Sequence, residues 1–214
     1  MSKTEFEPEH IANYCQMGGV SGYCSSGKDV YPSSYLEFAK EDLSEGSERR
    51  NHVNAVSNAK RAFHFQVEML CDAFGWQVLY KTKYKGFPER LEFLEKCGIL
   101  SPNILRKLNK KRNEIEHDYY IPSIEEVEDY LDIVELFLMA TKDILDRFPE
   151  HIDYELMKDS IYDSSLDLPE TITVIIAMSK GEIFINLYGK EIKLQINQSN
   201  YFVWLSAVMR QYVL

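Results

Sequence analysis

Residues 1–33 show no sustained apolar period. Gly18, Gly19, Gly22 and Gly27 stand among serines, cysteines and two prolines, so this segment is expected to be an irregular arm. From Ser34 the pattern turns helical. Ser34 and Glu37 have capping-box spacing, and Leu36, Ala39 and Leu43 recur at helical steps until Gly46. Val53, Val56, Phe63, Val67, Leu70 and Phe74 then form one stripe with steps of three, four or seven, which predicts a long helix stopped by Gly75. A short piece from Pro88 to Cys97 ends at Gly98. Ser101 and Pro102 open another helix toward Tyr120, and Ile121 before Pro122 discourages its continuation. Ser123 with Glu126 starts a further helix whose stripe, Val127, Leu131, Val134, Leu138 and Leu145, lasts to Phe148 and Pro149.

The period changes after a loop containing Asp163, Ser164 and Ser165. Residues 171–178 are a β-branched run, Lys180 and Gly181 suggest a turn, and Ile183, Ile185 and Leu187 alternate with other residues. Gly189 and Lys190 suggest a second turn. Ile192, Leu194 and Ile196 alternate again, and Phe202, Leu205, Met209 and Tyr212 share one face of a last helix. These elements predict a mainly α chain in three parts: an irregular arm over 1–33, an up-and-down bundle of four to five helices over 34–150, and a small β-meander with a covering helix over 151–214.

Composition narrows the functional classes. The hydrophobic share of 45% and charged share of 27% are those of globular proteins. No apolar run reaches the roughly 18 residues of a membrane helix, so no membrane partner is expected. The opening MSKTEFEPEH has no apolar stretch behind its lysine, which makes the cytoplasm the expected compartment and reduced thiols the expected state of Cys15, Cys24, Cys71 and Cys97. The net charge of −10 argues against a protein that coats nucleic acid through a global basic field. The deficit is local: residues 121–167 hold 14 acidic side chains against Lys142, Arg147 and Lys158. Directly upstream, Arg106, Lys107, Lys110, Lys111 and Arg112 form a basic island, suited to phosphates or simply a solvated helix face.

The segment that carries this island also departs from a core-only pattern. Its seam runs Leu105, Leu108, Arg112, Ile115 and Tyr119, and Asn113 and His117 stack on the adjacent face. An arginine on an apolar stripe is costly unless it is paired or faces a cleft or a subunit interface.

The string RNEIEHDY, Arg112 to Tyr119, resembles the R-x4-H signature of HEPN domains, with the polar residue Asn113 directly after the arginine. Tyr119, two places after His117, matches the R-x4-H-x-Y form of the toxin members of HEPN/MNT toxin–antitoxin pairs. AKEDL at 39–43 and NAKRAFHFQVEML at 58–70 are similar to the first two helices of that bundle, so the resemblance covers about 34–150. It implies a metal-independent endoribonuclease, a toxin or phage-defence effector working as a homodimer on RNA and leaving a 2′,3′-cyclic phosphate. His117 would be the general acid or base, Arg112 would hold the phosphate, Asn113 would hold either the histidine or a phosphate oxygen, and Arg106, Lys107, Lys110 and Lys111 would bind the RNA backbone. Tyr119 would donate to phosphate or be modified by a nucleotidyltransferase antitoxin. No cofactor and no metal are implied. The alternative is a non-catalytic HEPN-like module for nucleotide, nucleic-acid or protein binding, in which Arg112 and His117 hold a dimer interface.

The remaining histidines, His10, His52, His64 and His151, are scattered and are expected at the surface or in packing. Cys15, Cys24 and His10 lack a zinc-finger spacing, and no dinucleotide glycine fingerprint follows a predicted strand.

Overall fold

The computed structural model describes residues 6–46, 48–81, 85–99, 107, 110, 120–158 and 166–213. A 3-10 helix, Pro8–Asn13, leads into strand β1, Tyr14–Gly22. Helices α1 (Pro32–Ser44), α2 (Arg49–Ala73), α3 (Trp76–Leu79), α4 (Phe87–Lys96) and α5 (Ile124–Asp146) follow. The chain then forms β2 (Phe148–Leu156), β3 (Thr171–Ala177), β4 (Glu182–Leu187) and β5 (Lys190–Gln195), and ends in α6 (Tyr201–Val213).

The strands make one antiparallel sheet in the order β1-β2-β3-β4-β5. With 53% helix and 21% strand, the protein is α+β, which corrects the expectation of a mainly α bundle carrying a small C-terminal β-meander. Two strands account for the difference. β1 arises from the segment expected to be an irregular arm and pairs with β2 from Tyr14↔Leu156 to Gly22↔Phe148. β2 starts two residues after α5, with only Arg147 between them, so no turn residues announce it.

Of the helix starts read from the sequence, the Ser34–Glu37 capping box is not formed, because α1 already begins at Pro32 with Tyr31 at its N-cap and no side-chain cap bond, whereas the signals for α5 and the end of α2 are realised. Ser123 accepts from the Glu126 amide while Glu126 accepts from the Ser123 amide, closing the capping box of α5. Gly75, at φ +89°, ends α2 in the left-handed region, and a Cβ there would lie 2.8 Å from the Gly181 backbone. That crossing, with the Ser179 amide donating to Ala73 O at 2.7 Å, joins the end of α2 to the β3–β4 turn.

The sheet buries one face. Ile152, Ile172, Val174, Ile176, Ile183 and Ile185 alternate inward along their strands and share one apolar core with the helices. α6 is tied to the β1 end of the sheet, where Gln211 Nε2 donates to Tyr14 O at 3.0 Å and Tyr212 donates to Arg147 O at 3.0 Å. α1 and α5 both pack along α2, which leaves them flanking a furrow over its middle.

Candidate functional site

Six of the residues expected to form the site, Arg106, Lys111, Arg112, Asn113, His117 and Tyr119, lie outside the described residues. Lys107 and Lys110 are described; both have helical backbone and are exposed. What the structure does place is the exit from this segment. Tyr120 donates to Glu126 Oε2 at 2.6 Å, and Pro122 O lies 2.9 Å from His52 Nδ1 on α2. Because a carbonyl can only accept, His52 carries its proton on Nδ1, and its buried Nε2 meets no partner among the described residues. The chain directly after Tyr119 is thus attached to the same α2–α5 pair whose first turn Ser123 caps.

A second site is fully described. Between α1 and α5 a cavity of about 430 Å³ opens beneath the loop that follows β1. The loop is held down by the Cys24 amide donating to Leu145 O at 2.8 Å and by Lys28 Nζ lying 4.7 Å above the Phe65 ring. The amides of Gly27 and Lys28 are turned onto the Ser25 and Ser26 hydroxyls, both at 3.2 Å, so they are not presented to an anion. Leu36, Met69, Leu138 and Leu145 line the apolar part. Among the charged side chains of the lining, Lys40 is gripped by both oxygens of Glu135 at 2.6 and 2.7 Å, and Lys142 is paired with Asp146.

The floor of this cavity includes Gln66, buried at 5% exposure. Its Nε2 donates to Thr141 Oγ1 at 3.0 Å and to Leu138 O at 3.4 Å, while Thr141 gives its own hydrogen to Phe137 O at 2.8 Å. Sequence reasoning passed over this pair, although a signal was present. Gln66 sits three residues after Phe63 and four before Leu70, and Thr141 three after Leu138 and four before Leu145, so both are polar residues at core spacing.

Cys24 borders the cavity with its Sγ 3.3 Å from Met178 Sδ. Burial, reinforced by Glu150 and Asp146, pushes its thiol up to about 12, which makes it inert as a nucleophile near neutral pH. Burial raises the Cys71 and Cys97 thiols as well.

On the open face of the sheet, His151 Nε2 lies 3.0 Å from Asp153 Oδ1, and Thr173 donates to the same oxygen at 2.9 Å. The Thr173 proton therefore goes to the carboxylate and not to the imidazole, so the three do not form a hydroxyl-activating relay. These two hydrogen bonds, His151 first, hold Asp153 below the usual carboxylate range.

No protein-family model matches the chain, and no curated protein or solved structure matches it either. The HEPN resemblance therefore stands on its own residues. Among the described residues, no group of three or more His, Cys, Asp or Glu side chains could hold a metal ion, and no helix is long and apolar enough to cross a membrane.

Proposed function

We propose that the protein is an endoribonuclease that cuts RNA without a metal ion, using Arg112, Asn113, His117 and Tyr119. The observation that carries this reading is the string RNEIEHDY directly after the basic residues Arg106, Lys107, Lys110 and Lys111. It combines an imidazole, which exchanges protons near neutral pH, with a planar cation that can brace a phosphate as its charge builds.

In the reaction the ribose 2′-oxygen forms a bond to the adjacent phosphorus and the bond from phosphorus to the 5′-oxygen breaks. The 2′-hydroxyl loses its proton to a base, and the leaving oxygen gains one. His117 serves in this proton transfer, Arg112 holds the non-bridging oxygens, and Asn113 fixes the imidazole or a phosphate oxygen. The products are a 2′,3′-cyclic phosphate and a 5′-hydroxyl. A homodimer with the two motif segments facing each other would give a composite site, and a nucleotidyltransferase antitoxin that modifies Tyr119 is the partner this reading implies.

The test incubates purified protein with mixed RNA in EDTA and analyses the new ends. Cleavage that persists, leaves cyclic phosphates and is lost in His117→Ala with the melting midpoint unchanged is the expected result. Cleavage restored only by magnesium and leaving 5′-phosphates would overturn it. A second reading, a non-catalytic module that contacts a basic partner, is favoured by the acidic exposed positions of α5, among them Glu125, Glu128, Asp129 and Asp132. It gains if neither condition yields cleavage.

A further inference from the structure

The cavity between α1 and α5 has a built-in polarity that the ribonuclease reading does not use. Its lining includes one buried polar side chain, Gln66, and the amide's orientation there is determined. Thr141 has a single hydroxyl hydrogen, already given to Phe137 O, and Leu138 presents a carbonyl; both neighbours can only accept from Gln66. The nitrogen must face them, which leaves Oε1 as the amide atom available to the cavity. Among the described residues no donor meets that oxygen. The oxygen is open to the cavity, where water can reach it, so an occupant that covers it must bring an N–H in place of that water.

The charge of the lining selects among such occupants. Lys40 and Lys142 are each neutralised by a carboxylate, Glu135 and Asp146 respectively. Glu37, on the α1 wall, has no ion-pair partner among the described residues, so the cavity keeps one uncompensated negative charge. Tyr23 and Tyr31 also line the loop side, and aromatic rings tolerate a nearby cation better than an anion. The remaining wall is aliphatic, and about 430 Å³ lies at the small end of ligand-sized pockets.

We infer that this cavity binds a small organic ammonium ion with an apolar body, an arylalkylamine or a long-chain monoamine, whose N–H groups donate to Gln66 Oε1 and Glu37. An anion is refused because both lysines are engaged and Glu37 repels it. A quaternary ammonium has the charge but no N–H, so it leaves Gln66 unsatisfied. A polyamine offers more positive charges than the single free carboxylate can match.

Calorimetric titration of the full chain with 2-phenylethylammonium chloride at low ionic strength tests this, with phenylacetate and phenyltrimethylammonium as comparison ligands. Saturable binding of the primary amine alone is expected. Glu37 is exposed and outside the core, so Glu37→Gln should keep the fold while raising the Kd by about five-fold or more. Gln66→Met keeps the volume and removes the acceptor, and should weaken binding by a similar factor; its thermal midpoint is measured alongside. If Gln66→Met does not fold, Glu37→Gln alone decides. Phenylacetate binding as tightly as the amine, phenyltrimethylammonium binding as tightly, an unchanged Kd in Glu37→Gln, or no binding of the amine at millimolar concentration would each overturn the assignment.

Discussion

The inner face of the sheet and the interior of the α1–α2–α5 layer are both buried, yet they are made differently. At its centre the sheet offers aliphatic side chains, with Ile152, Val174 and Ile185 facing one another across β2, β3 and β4 in strict register, while Tyr14 and Tyr154 bring buried hydroxyls only toward its β1 edge. The helical layer is crossed by polar groups, with Gln66 bonded to Thr141 and His52 bonded to Pro122 O. Aliphatic packing is tolerant of the exact neighbour, whereas each buried polar group accepts only a particular one. The helices are therefore the more specified layer and the sheet the more forgiving one. The cavity between α1 and α5 lies beside this polar crossing, with Gln66 in its lining.

The comparison can be broken most forcefully in the sheet. Ile152→Ala removes a fully buried side chain at the centre of the register, and the stability measured by chemical denaturation should fall by about 3 kcal/mol. A loss no larger than that of a surface substitution would mean that the inner face is not the close-packed core described.

A smaller effect should follow in the helical layer. Thr141→Val keeps the shape but strips the acceptor from Gln66, leaving its nitrogen only Leu138 O at 3.4 Å. The expected loss is about 1 kcal/mol, seen as a lower denaturation midpoint with an unchanged slope. A neutral or stabilising result would show that the polar crossing contributes nothing to the layer's stability.

The smallest effect belongs to the solvated face of the sheet. Asp153 is half-exposed, and its folded pKa is depressed by His151 and Thr173. Its contribution is therefore present above the ordinary carboxylate value of 3.8 and is lost as pH falls through the lower folded value. The stability difference between the native protein and Asp153→Asn should shrink to nothing across that acid range. A difference that stays constant there would assign it to packing instead of ionisation.

Much of the helical layer and of the later strands was legible because each carries its own punctuation. Gly75 stops α2, Ser123 and Glu126 open α5, and Ile183, Ile185 and Leu187 alternate cleanly. β1 was hidden for the opposite reason. Its register shifts between Gln16 and Gly18 and again between Val20 and Ser21, and these irregularities break the period of two on which recognition of a strand depends. β2 has the alternation, in Ile152, Tyr154 and Leu156, but it follows α5 without a turn, and Pro149 reads as a helix stop. For the site, the string from Arg112 to Tyr119 was visible as chemistry without a described geometry. The cavity was visible only as two polar residues at core positions, and its shape depends on how three helices meet, which no local pattern encodes.

The pairing of β1 with β2 has a consequence for how the chain is made. These strands are neighbours in the sheet, yet α1 to α5 lie between them in sequence. During synthesis β1 leaves the ribosome early, and its partner follows only after every one of those helices, a delay on the order of ten seconds at ordinary elongation rates. For that interval Tyr14–Gly22 is a strand without a sheet, and it carries no charged side chain to discourage pairing with another nascent copy. The last edge, β5, has Lys190, Glu191 and Lys193 and faces no such wait, because its neighbour β4 immediately precedes it. Crowded polysomes are thus where this fold is most exposed to mispairing, and the vulnerable stretch is the strand that waits longest for its partner.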